Sequence, residues 1–525
     1  MLKTLIMKRI NLYIITLLLI FLTGSCKQDF FELERPPQNP WMTLEEFDRA
    51  PVGLYWSLFN GVDWSNPWVN TIVSKVSSGD DVNWISNAEW GYWRKTKEFN
   101  RYTDRGWFQV YRAIGGANDA LSFVEQNNGN PYPDESEANI KNNLNRIVGE
   151  CHFIRAYAYY LLETTFGHAY VPGSANDTPD IPLRTTYPNS VQDAKNPKIG
   201  TTKEVYDLIV ADLVKAKELL PEKYDVATMH PSYQVRATRY AASAMLMRTY
   251  FQMGDYANAE KEASFLINGN NGEFDLTEDP IAAWNKSDIS RGREVIFYLP
   301  FYDDQIQAPL HLTVLNFNAG SWGPCGWNEN RMAEGTVKRL GWMNNPSSDT
   351  TINVTARRDK RFQQLFGVRY PASLAKAGQA TDGRNEIKEI TTIWPNKYYR
   401  GPKDFHTNVP LIRLAEVYLT RSIIRFKAGD KSGAAADLDV VRKRAWDTAV
   451  GGPFVETSSS NITDQMISDE RVIEMSGEND RIDYLRALKV DIPKGERGPG
   501  TDPYTSEDFV WAIPNRELLY NESLK

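Results

Sequence analysis

Residues 236–269 read RATRYAASAMLMRTYFQMGDYANAEKEASFLING, and this stretch contains two helix-like patterns on either side of a turn. Apolar residues recur along one face of the first pattern at Ala242, Leu246, Tyr250 and Met253. They recur along the second at Tyr256, Ala259, Ala263 and Leu266. Between them, Gly254 is a residue that ends helices and Asp255 is one that caps a new helix. Small residues at Ala242, Ala244 and Ala259 allow the two backbones to approach closely, so the stretch predicts a pair of packed helices.

The same pattern returns at residues 410–445, PLIRLAEVYLTRSIIRFKAGDKSGAAADLDVVRKRA. Gly429-Asp430 takes the place of Gly254-Asp255, and Ala434 takes that of Ala259. The apolar positions are Leu411, Leu414, Tyr418, Ala435, Leu438 and Val441. Two such pairs are typical of tetratricopeptide (TPR) repeats, which bury their apolar faces by stacking on each other. The alternative is two unrelated helical hairpins that share a turn. We therefore predict a mainly α fold, a TPR-like scaffold of helical hairpins (an α/α superhelix).

Composition excludes several classes of function. The chain has 525 residues, 42% of them hydrophobic and 24% charged, which is enough for a large core. Its net charge of −7 and the absence of a basic stripe in the sequence argue against a nucleic-acid partner. The five histidines are scattered and no C-x-x-C occurs, so we predict no metal site and no cofactor. Cys151 and Cys325 leave both a disulfide and unpaired thiols open.

The first residues carry a targeting signal. Lys8 and Arg9 precede an apolar run at 10–22, and Gly24-Ser25 lead into Cys26. This order resembles a bacterial lipoprotein signal, with cleavage before Cys26 and lipid attached to its thiol. A plain secretory signal or a short membrane anchor is the alternative.

The rest of the chain divides into regions by its patterns. Capping boxes are predicted to open helices at Thr43 and Thr201, and Pro51 is predicted to kink or restart the first of these helices. Helical periodicity fades after residue 270, where short β-like runs at 295–298 and 313–317 alternate with loops. The predicted regions are a signal peptide (1–25), a lipid-anchored tether (26–40), an N-terminal helical region (41–270), an irregular loop-rich region with a few short strands (271–408) and C-terminal TPR-like helices with a tail (409–525).

The order of several short motifs resembles the SusD/RagB family of outer-membrane nutrient-binding lipoproteins. These motifs include GECHFIRAYAYYLLETTFGHAYVP, TTKEVYDLIVADLVKAKELLP, RATRYAASAMLMRTYFQMGDYANAE, EVIFYLPF, LIRLAEVYLTRS, ERVIEMSGENDRIDYLRALK and WAIPNREL. The resemblance covers nearly the whole chain. It implies a TPR-like scaffold that supports an irregular region, docking on a TonB-dependent outer-membrane transporter, and binding of a glycan or similar nutrient at the outer face of the cell.

Two segments have the residue types that bind sugars. A sugar ring presents apolar C–H faces to aromatic rings and a rim of hydroxyls to planar polar side chains. Seven of the 15 tryptophans fall between residues 56 and 107. The predicted ligand contacts are Asp81, Trp84, Asn87, Trp90 and Trp93 in the first segment and Asn318, Trp322 and Trp327 in the second. The resemblance also places ligand sites in loops of these regions. Trp107 lies on a helical face and is predicted to be in the core.

Other functions were weighed against glycan capture. Asp80-Asp81 is a carboxylate pair of the kind that glycosidases use, but such pairs are common among 67 acidic residues. Ala319-x-Ser321-x-Gly323 imitates a hydrolase nucleophile elbow, although Pro324 opposes the helix that must follow. A TPR scaffold can also serve as an assembly protein without a small ligand. The basic run at 442–444 is interpreted as a solvated helix end.

We therefore predict a non-catalytic, lipid-anchored binding protein. It captures an oligosaccharide at the outer membrane, facing the cell exterior, and delivers it to a TonB-dependent transporter. The predicted lipidation site is Cys26, and no residue is predicted to be catalytic.

Overall fold

A computed structural model of the chain describes residues 41–59, 75, 79–84, 101–300, 330–371, 373, 390–398 and 407–524, with the backbone alone at 83–84, 101–105, 330 and 497. Contacts within the chain divide it into a short unit that ends at Phe47 and a large compact unit from Asp48 to Lys525. In the short unit, the predicted capping box is present: Thr43 Oγ1 accepts from the backbone N–H of Glu46, and the Glu46 carboxylate accepts from that of Thr43.

Helices make up most of the described residues. In chain order they are α1 Leu44–Phe47, α2 Arg49–Phe59, α3 Arg101–Gln126, α4 Glu137–Asn139, α5 Asn145–Phe166, α6 Val191–Lys195, α7 Thr202–Leu219, α8 Arg239–Met253, α9 Tyr256–Asn268, α10 Glu334–Arg339, α11 Val354–Arg357, α12 Lys360–Leu365, α13 Leu414–Lys427, α14 Lys431–Ala445, α15 Thr448–Gly451, α16 Asp464–Met475, α17 Arg481–Ala487 and α18 Asn515–Tyr520. A π-helical turn, Ile140–Leu144, joins α4 to α5, and short 3-10 turns lie between other elements. Pro51 was predicted to kink or restart the first helix, and the helix restarts: α1 ends at Phe47, and α2 begins at Arg49 with Pro51 in its first turn.

In the part of the chain that the structure describes, ten short strands form two-stranded antiparallel pairs. They are β1 Val82–Trp84, β2 Pro179–Pro182, β3 Ile199–Thr201, β4 Val295–Leu299, β5 Asn330–Met332, β6 Phe366–Arg369, β7 Thr392–Pro395, β8 Val409–Arg413, β9 Ile492–Pro493 and β10 Thr501–Asp502. The pairs are β1–β5, β2–β3, β4–β8, β6–β7 and β9–β10. The predicted β-like run at 295–298 is confirmed as β4, whereas the run at 313–317 lies outside the described residues.

The two predicted hairpins form and stack. Gly254 ends α8 in a left-handed conformation with φ 76°, and the Asp255 side chain caps α9 by accepting from the N–H of Asn258. Asp430 caps α14 in the same way, accepting from the N–H of Gly433. The small residues Ala259 and Ala434 are both fully buried in one apolar cluster. The predicted stacking is thereby confirmed, because α9 packs against α13.

The helical stack extends in both directions from these hairpins. Neighbouring helices pack in the order α2, α3, α5, α7, α8, α9, α13 and α14, and α16 packs on α13. The capping box predicted at Thr201 is present at the start of α7. Within the described ranges, every helix is too short or too polar to cross a lipid bilayer. The fold is therefore the mainly α, TPR-like scaffold that the repeats predict.

Two details of the sequence prediction are wrong. Leu411 does not lie on the helix face with Leu414, because residues 409–413 form β8, which pairs with β4. The helix begins only at Leu414. The basic run at 442–444 is not wholly solvated: the Arg444 side chain is 3% exposed and its guanidinium lies 3.0 Å from Glu474 and 3.3 Å from Glu294. These carboxylates come from elements distant in sequence, which a local pattern does not reveal.

Candidate functional site

The strand pair β1–β5 brings together the strand that precedes the first predicted ligand segment and the strand that follows the second. Val82 pairs with Met332, Asn83 with Arg331 and Trp84 with Asn330. The first segment therefore leaves β1 after Trp84, directly opposite the point where the second segment enters β5 at Asn330. Residues 85–100 are here named the first tryptophan segment and residues 301–329 the second. They adjoin the same strand pair, here called the root, although 200 residues separate them in the chain.

A buried ion pair holds the β1 side of this root. Arg481, at the start of α17, donates from Nε to Oδ1 of Asp80 at 2.5 Å and from Nη2 to Oδ2 at 3.2 Å. Its Nη1 donates to Ser468 on α16 at 2.8 Å. Burial alone would raise the pKa of Asp80, but the charge and hydrogen bonds of Arg481 outweigh burial and hold that pKa below its ordinary value. Asp80 is therefore ionised and ties β1 to the C-terminal helices.

A second ion pair holds the β5 side. Both terminal nitrogens of Arg331 donate to the carboxylate of Glu496, at 2.9 and 2.6 Å, in a bidentate arrangement. Glu496 also accepts from the backbone N–H of Glu334 at the start of α10. The adjacent Gly495 has φ 58° and lies against the backbone of Asp80, where a side chain would be in contact. The C-terminal segment therefore supports both strands of the root.

Asp81 lies beneath the root and not on its surface. Its backbone oxygen accepts a hydrogen bond from the N–H of Ala333 at 2.8 Å. Asp81 as a whole is only 4% exposed. Burial raises the pKa of Asp81 to about 7, and within the described part of the chain its Oδ1 has no hydrogen-bond partner. A sugar that approaches from solvent does not reach a carboxyl group at this depth. This corrects the prediction of Asp81 as a direct ligand contact.

The other predicted contacts are placed only in part. Trp84 ends β1, where the structure describes its backbone. The residues that lie outside the described ranges are Cys26, Asn87, Trp90, Trp93, Asn318, Ser321, Trp322, Cys325 and Trp327. Trp107 is confirmed as a core residue: it is 3% exposed and its ring packs edge-on against Phe166. Cys151 is a buried free thiol.

The supporting residues were missed in the sequence. Arg481 and Glu496 lie in a C-terminal stretch that contains no tryptophan segment and no sugar-binding pattern. The motif ERVIEMSGENDRIDYLRALK includes Arg481, so the resemblance marked its position without indicating a role. The described residues contain no group of three or more His, Cys, Asp or Glu side chains arranged to hold a metal ion.

Comparison with known proteins places two family profiles on the chain. The first, described as "Starch-binding associating with outer membrane", matches residues 57–251. The second, described as "SusD family", matches residues 317–511. Together they cover well over half of the chain and include β1 in the first match and β5 in the second.

Individual proteins are similar over almost the whole length. SusD-like protein P2 of Formosa agariphila is 25% identical, and the match covers 93% of both chains. The crystal structure of a SusD superfamily protein from Bacteroides thetaiotaomicron superposes with a TM-score of 0.69 at 19% identity, covering 92% of this chain and 99% of that one. A structure described as a laminarin-binding SusD-like protein has a TM-score of 0.62 at 19% identity, covering 91% and 97%. The structural matches show that the fold is shared.

Proposed function

The chain belongs to the SusD family, and from this premise we propose that it is a non-catalytic lipoprotein that captures an oligosaccharide and delivers it to a TonB-dependent outer-membrane transporter. The family descriptions and the printed name of the laminarin-binding neighbour support a carbohydrate as the ligand. The matched profiles are those of binding proteins, and none of them describes an enzyme.

One observation supports the location of the site. The pairing of Trp84 with Asn330 gives the two tryptophan segments a common root. In this proposal Trp84, Trp90, Trp93, Trp322 and Trp327 supply rings for the faces of sugar residues, and Asn87 and Asn318 bind hydroxyls. Asp81 supports the root from below. The ion pairs Asp80–Arg481 and Arg331–Glu496 keep the two segments in register.

The direct test is glycan binding by soluble protein that lacks residues 1–26. We expect binding to at least one member of a panel that includes starch and laminarin, measured by calorimetry. Trp90→Ala and Trp322→Ala should each weaken binding about tenfold, because each removes a stacking ring. Trp56→Ala is the matched control, since Trp56 is a partly exposed tryptophan on the scaffold helix α2 and should leave affinity unchanged.

Two outcomes would contradict the proposal. An absence of binding across the panel, with intact capture of the transporter, would favour an assembly protein without a small ligand. Hydrolysis of a glycan that Ser321→Ala abolishes would indicate an enzyme.

The anchor and the partner need separate experiments in cells. Cys26→Ser should release the protein from the outer-membrane fraction, whereas Cys325→Ser should leave it there. Affinity purification of the unaltered chain should recover a TonB-dependent transporter. Release by neither cysteine change would show that lipid on Cys26 is not the anchor.

A further inference from the structure

A polar cavity lies within the helical scaffold, and three residues of its wall, Arg471, Met475 and Asp480, also line a small pocket beside Asp81. It has a volume of about 80 Å³, is partly open, and is lined by side chains of α5, α8, α13, α16 and α17 together with Lys75, Leu411 and residues 478–480. Its wall includes Tyr157, Arg248, Phe251, Glu416, Asn479 and Tyr484. At roughly 30 Å³ of liquid volume for each water, a cavity of this size holds about two or three water molecules.

Three ion pairs in the wall balance their own charges. Arg248 donates to the Glu416 carboxylate at 2.7 and 2.5 Å. Arg471 donates to Asp480 at 2.7 and 2.5 Å. Lys75 lies 3.2 Å from Asp483. Glu478, which also lines the cavity, is paired on its other side with Arg413 and Lys397. The described residues of the wall therefore offer an ion no unpaired charge, and a ligand that matches them is neutral.

Two polar groups of the wall lack partners among the described residues. The hydroxyl of Tyr484 and the side-chain oxygen of Asn479 are buried and accept or donate no hydrogen bond there. Tyr484 is 2% exposed, and burial raises its pKa to about 12, so the hydroxyl is protonated and can donate. A buried polar group without a partner costs roughly 1–3 kcal/mol. A ligand or water that supplies hydrogen bonds at both places relieves this cost.

Apolar surface lies beside these groups. Tyr157 and Phe251 present rings to the cavity wall, and Met247 adds a flexible thioether. Hydrogen-bonding groups mixed with rings suit a molecule with C–H faces and several hydroxyls, for the reason given for sugars above.

We propose that this cavity is a second binding site, which takes a small neutral polyhydroxy compound of about the size of glycerol. The hydroxyl of Tyr484 donates to the compound, and the amide oxygen of Asn479 accepts from it. The C–H groups of the compound pack on Phe251 and Tyr157. The site is independent of the tryptophan segments.

The test uses the full chain, purified in a detergent without a sugar headgroup, with glycerol as the probe and myo-inositol, which is too large for the cavity, as the control compound. We expect a rise in Tm that saturates at millimolar probe, and electron density for the probe in the cavity. Tyr484→Phe should weaken binding at least tenfold while keeping the ring between Phe251 and the Arg471 guanidinium. Asn479→Gly should also weaken binding of the probe at least tenfold. It should add no backbone strain, because Asn479 has φ 66° and glycine adopts that conformation freely.

Matched controls make the result decisive. Tyr187→Phe and Asn128→Gly change the same residue types at exposed positions, Asn128 also at positive φ, and should leave probe affinity unchanged. Trp322→Ala should likewise have no effect, since it belongs to the proposed surface site. The proposal is overturned if the electron density in the cavity shows only water, or if acetate binds there in place of glycerol. It is also overturned if the rise in Tm never saturates, or if Tyr484→Phe and Asn479→Gly show the same rise in Tm as the unaltered protein.

Discussion

Two adjacent carboxyl groups, Asp80 and Asp81, lie at the start of β1 in opposite electrostatic surroundings. Asp80 faces Arg481 and has a lowered pKa, so its contribution to stability is present above the ordinary pKa and is lost as pH falls. Burial raises the pKa of Asp81 to about 7, so its contribution is largest in acid and is lost as pH rises through 7. The sequence places both residues next to Trp84 but does not distinguish them, because their environments depend on a helix 400 residues away.

Replacing Asp81 by Asn should remove one pH dependence of folding. Asparagine resembles the protonated carboxyl group and does not titrate. Relative to the variant, the unaltered protein should lose roughly 1–3 kcal/mol of unfolding free energy between pH 5 and pH 8. Urea denaturation at the two pH values measures this difference. Equal pH dependence in both proteins would show that Asp81 is not protonated in the folded state at pH 5.

Replacing Asp80 by Asn should weaken both the fold and the proposed ligand site. The change leaves the Arg481 guanidinium buried without its counter-charge, at a cost of about 3–5 kcal/mol. We expect lower glycan affinity as well, because the root of the first tryptophan segment loses its tie to α17. The matched control is Asp469→Asn, whose partner Arg339 is 30% exposed, and it should cost under about 1 kcal/mol. Unchanged stability and affinity in Asp80→Asn would contradict the role of the ion pair.

At the scale of elements, local signals predicted the helical hairpins well. Gly254 and Asp255 mark the end of α8 and the start of α9, and Asp430 marks the start of α14, because caps are read from neighbouring residues. The strand β8 was missed, since Leu411 continues a helical spacing and its true partner, β4, lies more than 100 residues earlier. A local sequence pattern does not predict which distant strands pair, and the β1–β5 pair is an example.

The close approach of α9 to α13 gives a prediction for a small residue. Ala259 is fully buried in the cluster between the two hairpins. Ala259→Leu adds volume where the helices meet and should destabilise the protein by about 1–3 kcal/mol. Ala257→Leu, on the exposed face of the same helix, should change stability by less than about 0.5 kcal/mol. Chemical denaturation compares the two, and equal effects would show that α9 and α13 have room between them.

At the scale of the whole molecule, a buried ion cluster joins the middle and C-terminal regions. Glu474 on α16 lies 2.6 Å from Arg413, 2.9 Å from Arg361 and 3.0 Å from Arg444. Burial alone would raise the pKa of Glu474, but these three guanidinium groups outweigh it and hold the pKa well below its ordinary value. The region boundary at 408/409 stays a prediction; the ion cluster has residues on both sides of it, within the compact unit Asp48–Lys525.

Glu474→Gln should be among the more damaging single changes. It leaves three buried guanidinium groups without a shared carboxylate, which costs about 3–5 kcal/mol. Since the stability that Glu474 contributes is present above its ordinary pKa, the penalty should shrink as pH falls through the folded pKa. Glu456→Gln, at an exposed position, is the control. A small effect of Glu474→Gln, equal to that of the control, would mean that the cluster does not join the regions.

The shared root of the two tryptophan segments has a consequence for engineering. The ends of the segments adjoin four described residues: Trp84, Arg101, Pro300 and Asn330. Recognition sequences can therefore be exchanged between relatives as a paired cassette, cut at these points, without altering the helical repeats. Under the proposed function both segments contribute to one glycan site, so we expect that a graft that transfers specificity must carry both.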